Sequence, residues 1–400
     1  MNAKNAKKLS ELVASENFLF VPLGGGRETG RNCYFLRFAG KNFLLDCGVQ
    51  IGKSVTLPLL KALEGVKLDA VFVTHAHSCS VGALPELFKQ VQPCQVYMTG
   101  ETFEVAKLVL RELAIKIGDE GYEYSQDQVE AVINNVLPVA YNVQIPFGEV
   151  AVTFLASGHF PGGAMLLITG ADKAFLYIGH FSLRDTYLIE GQQVEKIREG
   201  LGRNKVDLMV ANIGGNEKNQ MEKFLGKVRK VTSKGTLLVS VEPYLLAEPL
   251  VALLTAQTEN RISPGVTTYV IGDELQAWLK VIKPFVRTRA RNLFSEIKCK
   301  KFDDISDFRD LDGAVVFVPK FDVRNQFVAN LALRYADDLD SAIVTFVSDE
   351  EVQSNKKALD VMLSWPNAKG HTRTDLSHWA KTTLHLTPFC LIVLPHLKQT

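Results

Sequence analysis

The spacing of apolar residues changes near residue 215, and this change limits the folds that the chain can adopt. Before it, short apolar runs follow one another closely and are broken by glycine, as in FLFVPLG (18–24), CYFLRFAG (33–40) and KNFLLDCG (41–48). This pattern is typical of strands joined by turns. After it, apolar runs alternate with segments of helical periodicity, which indicates a parallel sheet with crossover helices. The sequence therefore predicts an α/β protein with a strand-rich first part and a second part of alternating strands and helices.

The composition of the chain excludes several classes of protein. At 400 residues, it is long enough for two or three domains of about 100–200 residues each. Its apolar share of 46% and charged share of 22% are those of an ordinary globular protein and not of a disordered chain. The 45 basic and 44 acidic residues nearly cancel. This balance excludes a surface that is basic throughout and leaves only local basic patches for nucleic acid.

Three further features of the sequence bear on the cellular location. No apolar run approaches the roughly 18 residues that a membrane-spanning helix needs. The lysine-rich start of the chain is not followed by the apolar segment of a secretory signal. The six cysteines are scattered without a CxxC pair, which is typical of reduced thiols. We therefore expect an intracellular protein with no membrane contact, which is cytoplasmic or, in a eukaryote, nuclear.

Three segments of helical periodicity lie within the strand-rich part, over residues 82–92, 101–117 and 125–137. The third begins with Ser125, and Gln128 follows three residues later. A serine and a glutamine at this spacing form a capping box, in which each side chain bonds the backbone N–H of the other residue. The sequence thus predicts a helix that begins directly after Ser125.

Five of the eight histidines come at the carboxyl end of a predicted strand or just beyond it: His75, His77, His159, His180 and His396. That end of a strand is where ligands bind in open α/β sheets. His75 and His77 are one residue apart, so at strand spacing both rings point to the same face. Two imidazoles on one face suit a zinc ion, and His159 would add a third nitrogen. The alternative is that these histidines are polar loop residues without a ligand.

Six segments of the chain carry histidine or aspartate residues in an order known from one protein family. They are VPLGGGRETGRNCYFLRFAGKNFLLDCG (21–48), VTHAHSCSVGALPEL (73–87), LASGHFPGGAMLLI (155–168), FLYIGHFS (175–182), and KGHTRTDL with FCLIVLPH (within 369–396). These segments resemble the metallo-β-lactamase superfamily. The second half of the chain is similar to the β-CASP branch of this superfamily, which includes ribonuclease J and the endonuclease subunits of the pre-mRNA cleavage and Integrator complexes.

The resemblance implies a fold as well as a site. It implies an αββα sandwich formed by residues 1–214 and 366–400, with an inserted β-CASP-like α/β module over residues 215–365. It also makes Asp46 the match of the first-motif aspartate and His371 the match of a general acid near the leaving group. If the protein is an active enzyme, we therefore expect Asp46 and His371 to be its catalytic residues.

At four positions the sequence departs from the family motifs. Where the family motif has an aspartate followed by a histidine, this chain has Cys79 and Ser80. Where the motif has a bridging aspartate, the chain has His180, and where it has an acidic residue, the chain has Asn212. The family reaction uses two metal ions held by a shared carboxylate, and a neutral imidazole cannot bridge two cations as a carboxylate does. These substitutions imply that the second metal site is lost or changed.

Two interpretations of the metal site stay open. In the first, the site keeps one metal through the three histidines of the kept motifs, and Cys79 is a small buried apolar residue. In the second, Cys79, His180 and His396 contribute to a remodelled zinc site of the Cys/His type. We expect one zinc ion rather than two, with no bound metal as the remaining alternative. The metal ligands predicted from the sequence are His75, His77, His159, His180, Cys79 and His396.

The largest local excess of positive charge lies in KPFVRTRARNLFSEIKCKK (283–301), which has one acidic residue. Such a run could contact a phosphate backbone, and Phe285 and Phe294 could stack on bases. The alternative is an ordinary solvated face. The predicted nucleic-acid-binding residues are Arg287, Arg289, Arg291, Lys298, Lys300 and Lys301.

The family resemblance implies a role in RNA processing. Because four motif positions are substituted, we expect a non-catalytic or strongly impaired nuclease homologue. It would bind RNA, a homologous active β-CASP subunit, or a second copy of itself. The alternative is an active metal-dependent ribonuclease, a phosphodiester hydrolase that uses a remodelled His/Cys zinc site. A hydrolase of small esters or thioesters is a third candidate.

Overall fold

The structure is a computed structural model that divides into two compact units, Met1–Gly214 with Phe389–Thr400 and Gly215–Pro388. No helix within the described ranges combines the length and apolar character that a membrane crossing needs. The structure describes residues 3–26, 28, 30–51, 55–119, 125–170, 173–192, 194–201, 206–213, 217–294, 297–300, 311, 313–319, 340–347, 384–385 and 390–395.

Helices and strands account for most of these described residues. The helices are α1 (Ala3–Ser15), α2 (Ser78–Val81), α3 (Leu84–Gln90), α4 (Gly100–Asp119), α5 (Gln126–Asn134), α6 (Val194–Leu201), α7 (Glu217–Val231), α8 (Ala247–Thr258), α9 (Asp273–Ile282) and α10 (Thr288–Leu293). The strands are β1 (Phe18–Gly24), β2 (Cys33–Phe38), β3 (Lys41–Leu45), β4 (Gln50–Ile51), β5 (Val55–Thr56), β6 (Ala70–Phe72), β7 (Val96–Thr99), β8 (Val136–Val139), β9 (Gln144–Phe147), β10 (Val150–Ala156), β11 (Ala164–Thr169), β12 (Ala174–Gly179), β13 (Leu208–Ile213), β14 (Leu237–Val241), β15 (Thr268–Ile271), β16 (Lys298–Lys300), β17 (Val315–Pro319), β18 (Ala342–Val347), β19 (Leu384–His385) and β20 (Cys390–Pro395).

The first unit contains two six-stranded sheets. Their strand orders are β1-β2-β3-β6-β7-β8 and β20-β13-β12-β11-β10-β9. Strand β6 lies between β3 and β7 and runs parallel to both, so its backbone is paired on each side. The second sheet is completed from the far end of the chain, where β20 pairs antiparallel with β13.

The two sheets pack face to face through a buried aromatic core. Phe43 and Phe72 project from the first sheet, and Phe154 and Phe175 from the second. The rings of Phe72 and Phe154 meet edge to face, with centroids 6.1 Å apart. Within each strand, the core residues lie at every second position, as Phe43 and Leu45 do in β3. Successive side chains of a strand point to opposite faces, so only every second one can enter this core.

Helices cover the outer faces of this sandwich. Helix α4 lies against β7 and β8 of the first sheet, and α6 lies against β10 and β11 of the second. On that second outer face Leu167, Leu176 and Ile178 are buried against Ile197 and Leu201 of α6. The layers are therefore helix, sheet, sheet and helix, which confirms the predicted fold class.

The described strands of the second unit form one sheet, of order β16-β15-β17-β14-β18-β19. Every described strand pair in it is parallel, as expected for alternating strands and helices. The domain limits drawn from the sequence stay a prediction, but the structure differs from them at the C-terminal end. Residues 384–385 were expected in the first domain, whereas they hydrogen-bond in register with Phe346 and Val347 of β18.

Helix α5 begins with the predicted capping box, which the structure confirms. The Ser125 hydroxyl accepts from the Gln128 N–H at 3.3 Å, and the Gln128 side chain accepts from the Ser125 N–H at 2.9 Å. We expect Ser125→Ala to lower the free energy of unfolding by about 1 kcal/mol, because one N–H loses its acceptor. Urea denaturation would measure this loss.

The matched control for this prediction is Ser15→Ala at the end of α1. The exposed Ser15 hydroxyl donates to the Leu12 carbonyl at 3.3 Å, and water can replace that bond. Equal losses in the Ser125 and Ser15 variants would show that the capping box does not stabilise α5.

Candidate metal centre

Two histidines follow the buried strand β6 and begin the candidate site. His75 is buried and His77 is partly exposed, and their ring centroids are 4.8 Å apart. One turn of helix, α2, follows directly and carries Cys79. The HxH segment therefore lies at the carboxyl end of a central strand, as the sequence predicted.

Two further histidines reach this place from the second sheet. His159 lies in the loop after β10, and His180 directly follows β12. The ring centroid of His180 is 4.8 Å from that of His75 and 5.2 Å from that of His159. The His159 ring is more distant from the first two histidines, at 6.1 Å from His75 and 6.0 Å from His77. The structure thus brings four predicted ligands from three loops into one cluster.

Cys79 joins the cluster through its sulfur atom. Its Sγ lies 3.7 Å from Nε2 of His75. Ligand atoms of His75, Cys79 and His180 all lie within 4.8 Å of one another. A nitrogen and a sulfur that share a tetrahedral zinc ion are about 3.6 Å apart, given zinc bond lengths of about 2.0–2.1 and 2.3 Å. The residues present therefore fit a zinc-like ion.

The backbone around Cys79 is held by its neighbours in sequence and space. Cys47 N donates to Ser80 O at 2.8 Å, and Asn32 N donates to Cys79 O at 2.8 Å. Gly48 lies so close to this turn that an added Cβ would be 1.7 Å from Cys79 O. Only glycine fits there. The position of Cys79 is therefore set by the segment that follows β3.

The loop that carries His159 depends on a second glycine. Gly158 has φ +69°, and an added Cβ would lie 2.4 Å from Ser182 O and 2.5 Å from Gln192 N. Both contacts are to backbone atoms, which cannot move aside as a flexible side chain could. Gly158 thus allows the His159 loop to pack on the loop that follows His180.

Asp46 lies behind the cluster and is fully buried. Its carboxylate accepts from Thr74 N at 2.8 Å, from Thr74 Oγ1 at 2.9 Å and from the Tyr177 hydroxyl at 2.8 Å. The Thr74 Oγ1 is also 2.9 Å from Nδ1 of His75. With its own hydrogen given to Asp46, the Thr74 oxygen can accept from Nδ1–H of His75. That arrangement leaves Nε2 of His75 as the ligand atom beside Cys79.

Burial sets the protonation of the cluster. It lowers the pKa of His75 and of His180 well below the usual range, with neighbouring histidines adding to the effect. It lowers the pKa of His77 to about 3. The imidazoles of His75, His77 and His180 are therefore neutral near pH 7, which is the form that binds metals.

The pKa values of the Cys79 thiol and the Asp46 carboxyl are both raised. Burial raises the pKa of the Cys79 thiol to about 12, and the Asp46 charge adds to this. Burial also raises the pKa of Asp46 to about 7, although hydrogen bonds from Thr74, Tyr177 and Ser80 act in the opposite direction. A cation that binds the Cys79 sulfur would release its proton.

Of the remaining predicted site residues, some lie outside the described part of the chain and the others lie in the second unit. His371, His396 and Lys301 lie outside the described residues, and Lys300 is described only as part of strand β16. In the second unit, Arg289 pairs with Glu259 at 2.7 Å, and Nη2 of Arg291 donates to Pro284 O at 2.7 Å. Exposed pairs of this kind contribute little to stability.

The basic segment is less suited to base stacking than the sequence indicated. Phe294 is 8% exposed and is part of the packed interior of its unit, so the expectation that its ring is available for stacking was wrong. Arg287 is partly exposed, and Lys298 is exposed with its Nζ 5.9 Å from the centroid of the Tyr269 ring. The charges therefore remain accessible, whereas one of the two aromatic rings does not.

Sequence reasoning missed two residues that support the site, Thr74 and Tyr177. Thr74 directly precedes His75, and Tyr177 is a tyrosine within the otherwise apolar strand β12. A polar side chain in a buried strand needs a hydrogen-bond partner. That signal was available, but it could not identify Asp46 as the partner.

Comparison with known proteins agrees with this fold. Residues 35–205 match the family described as metallo-beta-lactamase superfamily domain. Probable RNase MJ4 of Methanocaldococcus jannaschii is 28% identical over 218 residues, which are 53% of this chain and 50% of that protein. Ribonuclease TTHA0252 of Thermus thermophilus is 32% identical over 168 residues, 41% of this chain and 38% of that protein.

A third relative and a solved structure extend the comparison. Cleavage and polyadenylation specificity factor 73 of Drosophila melanogaster is 28% identical over 226 residues, 54% of this chain and 32% of that protein. The matches thus span half or less of the length of these relatives. A crystal structure of a protein of unknown function from Enterococcus faecalis V583 shares the fold, with a TM-score of 0.50 and 14% identity over 93% of this chain and 88% of that one. The match over residues 35–205 identifies a metallo-β-lactamase superfamily domain in this chain, and the similarity to these relatives is consistent with the β-CASP branch.

Proposed function

We propose that this chain is a β-CASP-like RNA-processing protein that binds RNA but cleaves it weakly or not at all. Its relatives are named as ribonucleases and as a cleavage and polyadenylation factor. The expectation of weak or absent cleavage rests on the identity and position of His180. Its ring lies 4.8 Å from that of His75, at the position where the family motif has a bridging carboxylate.

An imidazole cannot replace that carboxylate in a two-metal site. A carboxylate presents two oxygens and a negative charge, and so can hold two cations about 3.5–4 Å apart. A neutral imidazole presents one ring nitrogen to the cluster. Ser80, at another substituted position, adds only a buried neutral hydroxyl, whose Oγ is 3.3 Å from Nδ1 of His75. Among the described residues, His180 and Ser80 therefore offer no carboxylate that could hold a second metal ion.

The proposed cofactor is a single zinc ion in the histidine cluster. When bound, it would supply a Lewis acid at the base of the site. The proposed partners are RNA and either a homologous active β-CASP subunit or a second copy of this chain. The basic residues around Arg287 and Lys298 are the proposed RNA contacts, together with the others predicted from the sequence.

One observation favours a second candidate function, an active ribonuclease with a remodelled site. The ligand atoms of His75, Cys79 and His180 lie close enough to share an ion. A single zinc ion with an open position can support hydrolysis in other folds. The experiment below separates the two candidates.

We expect the purified chain to bind single-stranded RNA without cutting it, because His180 and Ser80 stand where the family motif has ligands for a second metal ion. Labelled RNA would be incubated with zinc or manganese and resolved on a denaturing gel, with binding followed by fluorescence anisotropy. The matched control is His75→Ala/His77→Ala, which should bind RNA as the wild type does. Cleavage by the wild type that vanishes in this control would establish the active ribonuclease instead.

A double variant in the second unit tests whether the predicted basic residues contact the RNA. Arg287→Ala/Lys298→Ala should weaken binding to all sequences alike and reduce its salt dependence, because each phosphate contact releases counterions. Unchanged affinity and salt dependence would remove these residues from the proposed RNA surface.

A further inference from the structure

We infer that His75, Cys79 and His180 form a site for one soft metal ion, with the Cys79 thiolate as a metal ligand. The inference rests on the proposed function, since it gives a role to the substituted positions of the same site. It assigns to this chain a Cys/His₂ ligand set in place of carboxylate ligands. The ion that fits is Zn²⁺ or its spectroscopic substitute Co²⁺.

The ligand atoms of these three residues lie within 4.8 Å of one another, which groups them as one candidate site. The separation of 3.7 Å between Cys79 Sγ and His75 Nε2 matches the roughly 3.6 Å edge of a tetrahedral zinc site. Imidazole rings that share such an ion have centroids about 5 Å apart. His75 and His180 meet this condition at 4.8 Å. His77 is also 4.8 Å from His75, so the ring distances alone do not choose between these histidines. The ligand atom of His180 groups with those of both His75 and Cys79, which favours it as the third ligand.

Two of the three ligands are held in place before any metal binds. His75 and Cys79 are four residues apart across the start of α2, and Asn32 N holds the Cys79 carbonyl at 2.8 Å. Thr74 Oγ1 meets Nδ1 of His75 at 2.9 Å and so turns its Nε2 toward the sulfur. Ligands that are already oriented lose less conformational entropy when the ion enters.

The chemistry of the three donors sets the metal preference. Sulfur and imidazole nitrogen are ligands for zinc and similar borderline ions, whereas Mg²⁺ and Mn²⁺ favour oxygen. Cys79 and His180 replace two carboxylates of the family motif, so two oxygen ligands become one sulfur and one nitrogen. We therefore expect Zn²⁺ and Co²⁺ to bind and Mn²⁺ and Mg²⁺ to compete poorly.

Cobalt titration of the full, metal-stripped chain tests this assignment directly. Thiolate bound to Co²⁺ absorbs in the near ultraviolet by charge transfer, and histidine ligands alone do not. We expect one Co²⁺ per chain with this absorption, and its loss on addition of zinc. In Cys79→Ser the absorption should vanish and the affinity should fall by at least about ten-fold.

The matched control is Cys94→Ser, because Cys94 is also a partly buried thiol. It precedes β7, at the amino end of the first sheet's parallel strands. This variant should keep both the absorption and the affinity of the wild type. Cobalt binding without charge-transfer absorption in the wild type, or absorption that persists in Cys79→Ser, would overturn the assignment. Two cobalt ions per chain would also overturn it.

A second measurement needs no variant and applies even if Cys79→Ser does not fold. The wild-type chain would be alkylated with iodoacetamide with and without zinc, and the modified cysteines identified by peptide mass spectrometry. Zinc should protect Cys79 and leave Cys94 unchanged. Labelling of Cys79 in the zinc-free chain that zinc does not reduce would rule out thiolate ligation.

The outcome of this test is separate from that of the proposed function. RNA cleavage by the wild type would contradict the proposed function and leave the cobalt–thiolate absorption intact. Absence of the absorption would contradict the Cys79 assignment, whatever the cleavage result.

Discussion

Gly48→Ala is expected to destabilise the first unit by more than about 4 kcal/mol, enough to prevent it from folding at ordinary temperatures. The added Cβ would lie 1.7 Å from Cys79 O, 1.9 Å from Cys79 C and 2.6 Å from Ser80 N. All three atoms belong to the backbone of α2, which is held in turn by hydrogen bonds to Cys47 and Asn32. The clash therefore cannot be relieved by rotating a side chain, and the segment after β3 would separate from α2.

The yield of soluble protein and the thermal unfolding curve would measure this effect. Gly100→Ala is the matched control in the same unit, because Gly100 begins α4 and an added Cβ there meets no atom within 4 Å. It should leave stability unchanged or raise it by up to about 1 kcal/mol, since alanine favours the helix more than glycine does. A Gly48→Ala protein that unfolds like the wild type would contradict the close approach of the two segments.

Asp46→Ala is expected to lower the free energy of unfolding by about 3–5 kcal/mol. The change leaves Thr74 N–H and the Tyr177 hydroxyl buried without their acceptor, and each such group costs about 1–3 kcal/mol. Position 46 also has φ +57°, where alanine is strained by roughly 1–2 kcal/mol. The same loss would free the Thr74 hydroxyl that orients His75.

Denaturant unfolding of Asp46→Ala beside Asp46→Asn would check this account. Asparagine tolerates a positive φ and keeps one carbonyl oxygen as an acceptor. Asp46→Asn should therefore lower the free energy of unfolding by clearly less than Asp46→Ala does. If the two variants lose equal stability, or if neither loses any, the buried hydrogen bonds of Asp46 do not carry the stability proposed for them.

Local patterns were sufficient to predict the elements that bear the site. The buried run before His75 is strand β6, the periodic segment over 101–117 lies within α4, and the capping box begins α5. Each of these depends on contacts between residues that are close in sequence. Their signals are therefore present in the order of the amino acids.

One boundary shows where local signals fail. Helical periodicity was predicted through residue 137, but α5 ends at Asn134 and β8 begins at Val136. Val136 pairs with Val96 of β7, and the pairing with β7 extends along the whole of β8. The hydrogen bonds of a neighbouring strand outweigh a continued helical turn, and no local pattern contains that information.

The sequence by itself determined the α/β class, the HxH pair on one face, and the substituted residues Cys79 and His180. Strand periodicity and residue chemistry are properties of short segments. Only the tertiary structure decided that His180 lies beside His75 while His159 is farther away. It also decided that Asp46 reaches His75 through Thr74. Those contacts join residues from different strands and sheets, so they depend on strand order, register and packing of the sandwich, which form only when the whole unit folds.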